Sequence, residues 1–157
     1  MDTNRKHVIA FTDGSALGNP GPGGYGVILQ HGAYEKEISG GFRHTTNNRM
    51  EILAAIEALK ALTEPCRVTL NTDSQYLANA MTKGWAVRWR RDGWMRNKKE
   101  PALNADLWAE LLTLCEIHDV TFVWVRGHAG NHRNERCDLL AKEAAQQPNL
   151  PPDTGYS

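Results

Sequence analysis

The stretch Gly21-Pro-Gly-Gly-Tyr-Gly-Val-Ile-Leu-Gln-His-Gly32 decides the fold. Its first six residues match the pattern GxGxxG. A dinucleotide site needs that pattern to open a helix, whose N-terminus then holds the pyrophosphate. Here Tyr25–Gln30 reads as a strand, and Pro20 and Pro22 interrupt the glycine loop Gly18–Gly24. No Lys-Ser/Thr pair follows, so the loop is not a P-loop either. His31-Gly32 is a turn signal, and Tyr34–Gly41 reads as a further strand. Two short strands joined by a tight turn predict an antiparallel hairpin. The glycines are read as a tight turn between strands, not as a cofactor cradle.

Working outward, Lys6–Asp13 reads as the first strand, with β-formers Val8, Ile9 and Phe11 closed by Asp13-Gly14. After the hairpin the period turns helical over Asn48–Leu62, with Ile52, Leu53, Ile56, Leu59 and Leu62 apolar. Asn47 or Asn48 is the predicted N-cap. Arg67–Thr72 is a fourth strand, and Asp73-Ser74 caps a helix starting near Gln75. A basic stretch follows, helical in part and broken by Gly93 and Pro101. Asn104–His118 is a longer helix, Asp119–Val125 a fifth strand, and Arg133–Gln146 the last helix. The pattern predicts an α/β domain: a five-stranded mixed sheet, three strands antiparallel and the rest parallel, flanked by helices. The domain is expected over residues 1–147, with a basic protrusion at about 80–103 and an irregular tail at 148–157.

Composition narrows the class. The chain has 157 residues, no formal net charge, 41% hydrophobic and 23% charged residues. Disordered chains have low hydrophobicity and high net charge, so this is a folded domain. Cys66, Cys115 and Cys137 form no CxxC pair and leave one thiol over in any disulfide scheme. They are read as reduced thiols. No apolar run approaches the roughly 20 residues of a membrane span, and no secretory signal opens the chain. A cytoplasmic protein with no membrane partner is expected. The zero net charge hides an asymmetry: Ala80–Pro101 carries seven basic and two acidic residues, a local excess of +5. Such a patch points to a polyanionic partner.

Four acids stand at the ends of elements. Asp13 ends the first strand and Asp73 the fourth; in a sheet where these strands are neighbours, both emerge at the same edge. Glu51 and Asp138 lie early in helices among apolar residues. An oxygen-only set of this kind favours Mg²⁺ or Mn²⁺ over Zn²⁺. Without a metal or shared protons the cluster repels itself. The plainer reading makes each Asp a turn or helix cap. His128 sits in the glycine-flanked loop Val125-Arg-Gly-His-Ala-Gly130, where an imidazole suits proton transfer. Trp85, Trp89 and Trp94 interleave with the basic residues of this stretch, among them Arg90, Arg91, Lys98 and Lys99, and Trp85 and Trp89 share a helix face. Aromatic and basic groups together suit a nucleic-acid backbone, although two of the three tryptophans at 85, 89 and 94 also fit as local core.

Six motifs, in order, carry a resemblance. They are Thr12-Asp-Gly-Ser15, Gly18-Asn-Pro-Gly-Pro-Gly-Gly-Tyr-Gly26, Thr45-Thr-Asn-Asn-Arg-Met-Glu51, Thr72-Asp-Ser-Gln-Tyr76, Gly127-His-Ala-Gly130 and Asn134-Glu-Arg-Cys-Asp138. Together they resemble the bacterial type 1 ribonucleases H over essentially the whole chain. The resemblance implies a single ribonuclease H-like domain and an endoribonuclease that hydrolyses the RNA strand of RNA–DNA hybrids. It implies two Mg²⁺ ions, with Mn²⁺ as a substitute, and products with 3′-hydroxyl and 5′-phosphate ends. Asp13 is expected to bridge both ions, Asp138 to complete the site of the water-activating ion, and Glu51 and Asp73 to hold the other. His128 is expected to assist proton transfer or product release.

Substrate choice is implied in the same way. Asn19, Asn47, Asn48 and Gln75 fall on the positions that read the ribose 2′-hydroxyl, a donor and acceptor that amides can match. Thr46 and Asn104 match positions that grip a DNA phosphate, and Trp85 one that meets a DNA base. Trp89, Arg90, Arg91, Lys98 and Lys99 are expected on the DNA strand as a group. A monomer is expected, with a single-strand DNA-binding protein as a further candidate partner. The main alternative is a catalytically inactive hybrid-binding module of the same fold, which should lack an acid; none is missing. A DNA-directed nuclease of this fold, such as a transposase core or junction resolvase, and a nucleic-acid chaperone are weaker alternatives.

Overall fold

The computed structural model describes residues 5–126 and 131–156. Three strands, β1 (His7–Ala16), β2 (Gly21–His31) and β3 (Tyr34–Thr45), form an antiparallel meander. Helix α1 (Asn47–Lys60) leads to β4 (Arg67–Thr72), then α2 (Gln75–Thr82), α3 (Trp85–Arg91) and α4 (Ala105–Ile117). Strand β5 (Asp119–Trp124) and helix α5 (His132–Ala145) complete the order. The sheet runs β3-β2-β1-β4-β5, with β4 parallel to β1 and β5 parallel to β4.

Residue alternation along β1 sorts the two faces, because successive side chains point to opposite sides. Val8 and Ala10 join the larger core with Ile52, Ile56 and Leu59 of α1 and Leu111 of α4. Phe11 and Ile9 join Ile28 and Cys137 of α5. Helix α1 is buried nearly all round, with Ala54, Ala55 and Ala58 fully inaccessible. Small residues there let α1 fit between the sheet and α4. Each large aliphatic chain so buried contributes about 1.5–3 kcal/mol.

The strands are longer than their apolar cores predict. β1 runs on to Ala16, β2 starts at Gly21, and β3 reaches Thr45. The glycines expected in the loop are therefore partly strand. Gly24 and Gly26 lie against the α5 backbone: a Cβ on Gly26 would fall 2.3 Å from the Cys137 carbonyl oxygen. Lacking side chains, these strand positions let the last helix approach the sheet closely. The α1 N-cap is Thr46, whose hydroxyl accepts from the Arg49 N–H at 3.2 Å, rather than Asn47 or Asn48. Thr46 retains extended backbone, while both asparagines are already helical.

The tail beyond residue 147 has no regular element but is fixed to the body. The Arg43 N–H donates to the Pro151 carbonyl at 2.9 Å, and the Tyr156 and His44 rings lie 5.3 Å apart. Among the described residues, no helix is long and apolar enough to cross a membrane, and all three cysteines are free thiols.

Candidate active site

Parallel pairing sets the first two acids. Thr12 of β1 lies opposite Thr72 of β4, so Asp13 and Asp73 emerge together where the parallel strands end. Helix α1 brings Glu51 across this edge. One carboxylate oxygen from each of Asp13, Glu51 and Asp73 lies within 4.8 Å of the others. Asp13 is 6% and Glu51 9% exposed. The Asp13 carboxylate accepts from the Gly14 N–H at 2.9 Å.

Burial first, then the Asp73 and Asp138 charges, raise the Asp13 pKa to about 8. Glu51 is raised well above its ordinary value by burial, then by the charges of Asp13 and Asp73 and a hydrogen bond with the Asp73 carboxyl. Glu51 Oε1 is buried without a hydrogen-bond partner. Concentrated negative charge, an unpartnered buried acceptor and an all-oxygen donor set fit a divalent cation of the Mg²⁺ type.

Asp138 approaches the trio without joining it. Its charge and a side-chain hydrogen bond both act on Asp13. Its Oδ2 lies 3.0 Å from Lys142 Nζ, one helical turn on. Cys137 Sγ donates to the Phe11 carbonyl at 3.2 Å, holding this part of α5 against β1 beside Asp13. His128 lies outside the described residues.

The amides differ in how free they are. Asn19 Oδ1 accepts from the Asn47 N–H at 2.9 Å, and Asn47 Oδ1 accepts from the Ala16 N–H at 2.5 Å. Both carbonyls are thus committed to the backbone, which leaves their N–H₂ donors to face a ligand. Asn48 and Gln75 are exposed. Asn19, Thr46, Asn48 and Asn104 line one cleft of about 640 Å³, whose lining includes none of Asp13, Glu51, Asp73 and Asp138.

The basic protrusion divides unevenly. Trp89 is 6% exposed and packs on Trp85 and Trp108, with ring centroids 6.4 and 6.0 Å away. It is core, which corrects its expected place on a DNA strand: no face is left for a nucleotide. Trp85 is half-buried, and Lys83 Nζ lies 5.6 Å from its ring centroid. Arg90 pairs with Glu116 at 3.0 Å and Arg91 with Asp92 at 3.3 Å. Lys98 and Lys99 are exposed.

Sequence reasoning assigned no role to Arg49. It is 2% exposed, and its guanidinium lies between Asp106 at 2.7 Å and Asp153 at 2.7 Å. The available signal was an Arg just before the largely apolar stretch Met50–Ala55, interrupted only by Glu51, a position where a charge must find partners. Nothing local names those partners, because they lie on α4 and in the tail.

A mixed five-stranded sheet with two carboxylates where its first and fourth strands stop pairing, and a third brought to them by helix α1, defines the ribonuclease H class of fold. The RNase H family model matches residues 5–146, and the chain belongs to that family. It is 64% identical over 152 residues to the Ribonuclease H of Syntrophus aciditrophicus (strain SB), covering 97% of this chain and 88% of that one. The crystal structure of LC9-RNase H1, a type 1 RNase H with the type 2 active-site motif, is 34% identical with a TM-score of 0.82. That match covers 92% of this chain and 74% of the other. LC11-RNase H1, solved in complex with an RNA/DNA hybrid, is 26% identical with a TM-score of 0.66, covering 88% and 96%.

Proposed function

We propose that this chain is an endoribonuclease that hydrolyses the RNA strand of RNA–DNA hybrids, leaving 3′-hydroxyl and 5′-phosphate ends. The observation that carries this reading is the trio Asp13, Glu51 and Asp73, with the unpartnered buried oxygen of Glu51. Family membership and the hybrid-bound relative support it.

Asp13, Glu51, Asp73 and Asp138 would hold two Mg²⁺ ions, or Mn²⁺ in their place. When bound, such ions would supply charge neutralisation and a more acidic water for an in-line displacement at phosphorus. The protein's own groups do the rest. Asp13, whose carboxyl feels the charges of Asp73 and Asp138 and acts on Glu51, would be the shared ligand. The backbone N–H of Gly14 orients its carboxylate. His128 takes or delivers a proton at the reacting phosphate or assists product release. Asn19, Asn47, Asn48 and Gln75 bind ribose 2′-hydroxyls. Thr46 and Asn104 grip a phosphate of the DNA strand, while Trp85, Arg90, Arg91, Lys98 and Lys99 engage that strand further along.

The reading places a monomer in the cytoplasm, with a single-strand DNA-binding protein as a second partner. An end-labelled RNA tests the activity in four settings: alone, paired with RNA, paired with DNA, and paired with DNA plus EDTA. Cleavage of the DNA-paired strand only, lost in EDTA, is the expected result. Tight hybrid binding without cleavage in Mg²⁺ or Mn²⁺ replaces this reading with the inactive binding module.

A further inference from the structure

Arg49 touches both side chains assigned to the DNA phosphate. Its backbone N–H donates to Thr46 Oγ1 at 3.2 Å, and its Nη1 donates to Asn104 Oδ1 at 3.3 Å. That second bond leaves the Asn104 amide as a donor, bonded to the Tyr76 hydroxyl at 3.2 Å. Asn104 makes no cap bond to its own helix and holds a left-handed backbone, φ 63°. Its side chain is therefore oriented from outside, by Arg49 and Tyr76.

Arg49 is in turn held by the tail. Asp153 Oδ2 accepts from its Nε at 2.7 Å, and Asp153 Oδ1 from its Nη2 at 3.1 Å. The buried Thr45 hydroxyl donates to Asp153 Oδ2 at 2.7 Å. Asp106 takes the other side of the guanidinium through Nη1 at 2.9 Å and Nη2 at 2.7 Å. Gly155 and Tyr156 line the same cleft. A Cβ on Gly155 would fall 2.0 Å from Asp106 Oδ2 and 2.6 Å from Arg49 Nη2, so the tail passes directly over the ion pair.

Two carboxylates face one guanidinium, so Arg49 offers no spare positive charge to a phosphate. Its donors are spent on the protein. What it supplies is geometry, joining the start of α1, the start of α4 and the tail. We infer that Asp153 is a positioning residue for nucleic-acid binding: by holding Arg49 it orients the Asn104 amide and shapes the cleft that takes a DNA-strand phosphate. The tail is thus a working part of the substrate surface. This inference rests on the cleft being a phosphate site, and the test separates the two.

The experiment measures hybrid affinity against salt, together with KM and kcat, for Asp153→Asn, Asn104→Gly and the double variant. Glycine tolerates the left-handed backbone at position 104, so that change removes the amide with little strain. Asp153→Asn is expected to raise Kd and KM three- to tenfold and leave kcat unchanged. The salt slope should not fall, because the groups being positioned, Asn104 and Thr46, are neutral and release no counterion of their own. In the Asn104→Gly background the same substitution should add little, since coupled residues are non-additive. Asp153→Glu should recover part of the affinity. If Asp153→Asn does not fold, Thr45→Val loosens the same carboxylate by one hydrogen bond and carries the same expectation at smaller size.

If Asn104→Gly weakens binding while Asp153→Asn lowers only the melting temperature, the cleft stands and the positioning role is overturned. If neither changes affinity, the cleft takes no phosphate and both readings fall.

Discussion

Gly14 lies against Glu51 so closely that a Cβ on it would fall 2.4 Å from the Glu51 backbone nitrogen and 2.3 Å from the Met50 carbonyl carbon. The atoms it would meet are helix backbone, which cannot turn aside. This approach lets a strand-end carboxylate and a helix carboxylate share one site. Gly14→Ala is expected to push α1 from β1, costing about 1–3 kcal/mol as overpacking does. Denaturant titration reads the stability, and calorimetric Mg²⁺ titration should show weaker binding. Unchanged metal affinity would show that the spacing of Asp13 and Glu51 tolerates the shift.

Asp13→Asn removes the proposed shared ligand. Several kcal/mol of charge stabilisation correspond to about a thousandfold in rate, so hybrid cleavage should fall by at least that factor. The circular dichroism spectrum should be unchanged. Near-normal turnover would remove Asp13 from the centre of the site.

The pKa of Asp13 near 8 has a definite consequence for stability. Its folded value lies above the unfolded one of 3.8, so between the two the folded state holds more protons. In EDTA, this group's contribution to stability is therefore most favourable below pH 3.8 and is lost as pH rises through about 8. Melting temperatures across that range should decline more for the parent than for Asp13→Asn. Parallel curves would contradict the shift.

The protrusion's cations should not contribute equally. Lys98 and Lys99 are exposed, whereas Arg90 and Arg91 lie beside Glu116 and Asp92. The double change Lys98→Ala, Lys99→Ala should flatten the salt dependence of hybrid affinity by about one to two in slope. Arg90→Ala should change it less. Equal slopes for parent and double variant would place the two lysines off the substrate.

Asn48→Ala should reduce preference for hybrid over DNA duplex about five- to tenfold, the worth of roughly one hydrogen bond. Competition binding with the two duplexes reads the ratio. Asn47→Ala is expected to act differently: it also loses the bond to the Ala16 N–H, so its stability should fall as well. An unchanged ratio for Asn48→Ala would take it out of the 2′-hydroxyl contacts.

Much of this molecule was legible locally. Turn chemistry at His31-Gly32 and the apolar period of α1 placed the hairpin and the helix that follows it. The boundaries drifted where glycines continue a strand, because Gly24 and Gly26 owe their conformation to α5 packing on them, not to their own preference. Trp89 was misplaced for a related reason. A tryptophan among arginines looks like a ligand platform until Trp108 is found to cover it.

The sequence by itself determined the element order, the four acids and their oxygen-only chemistry, since these follow from periodicity and residue type. Tertiary structure alone decided which groups meet. Parallel pairing of β1 with β4 brings Asp13 and Asp73 to one edge, and the absence of a side chain at Gly14 admits Glu51. Arg49 finds Asp153 from 104 residues away. A buried charge must be matched by some partner, but a sequence states only the need; the partner is chosen by the path of the folded chain.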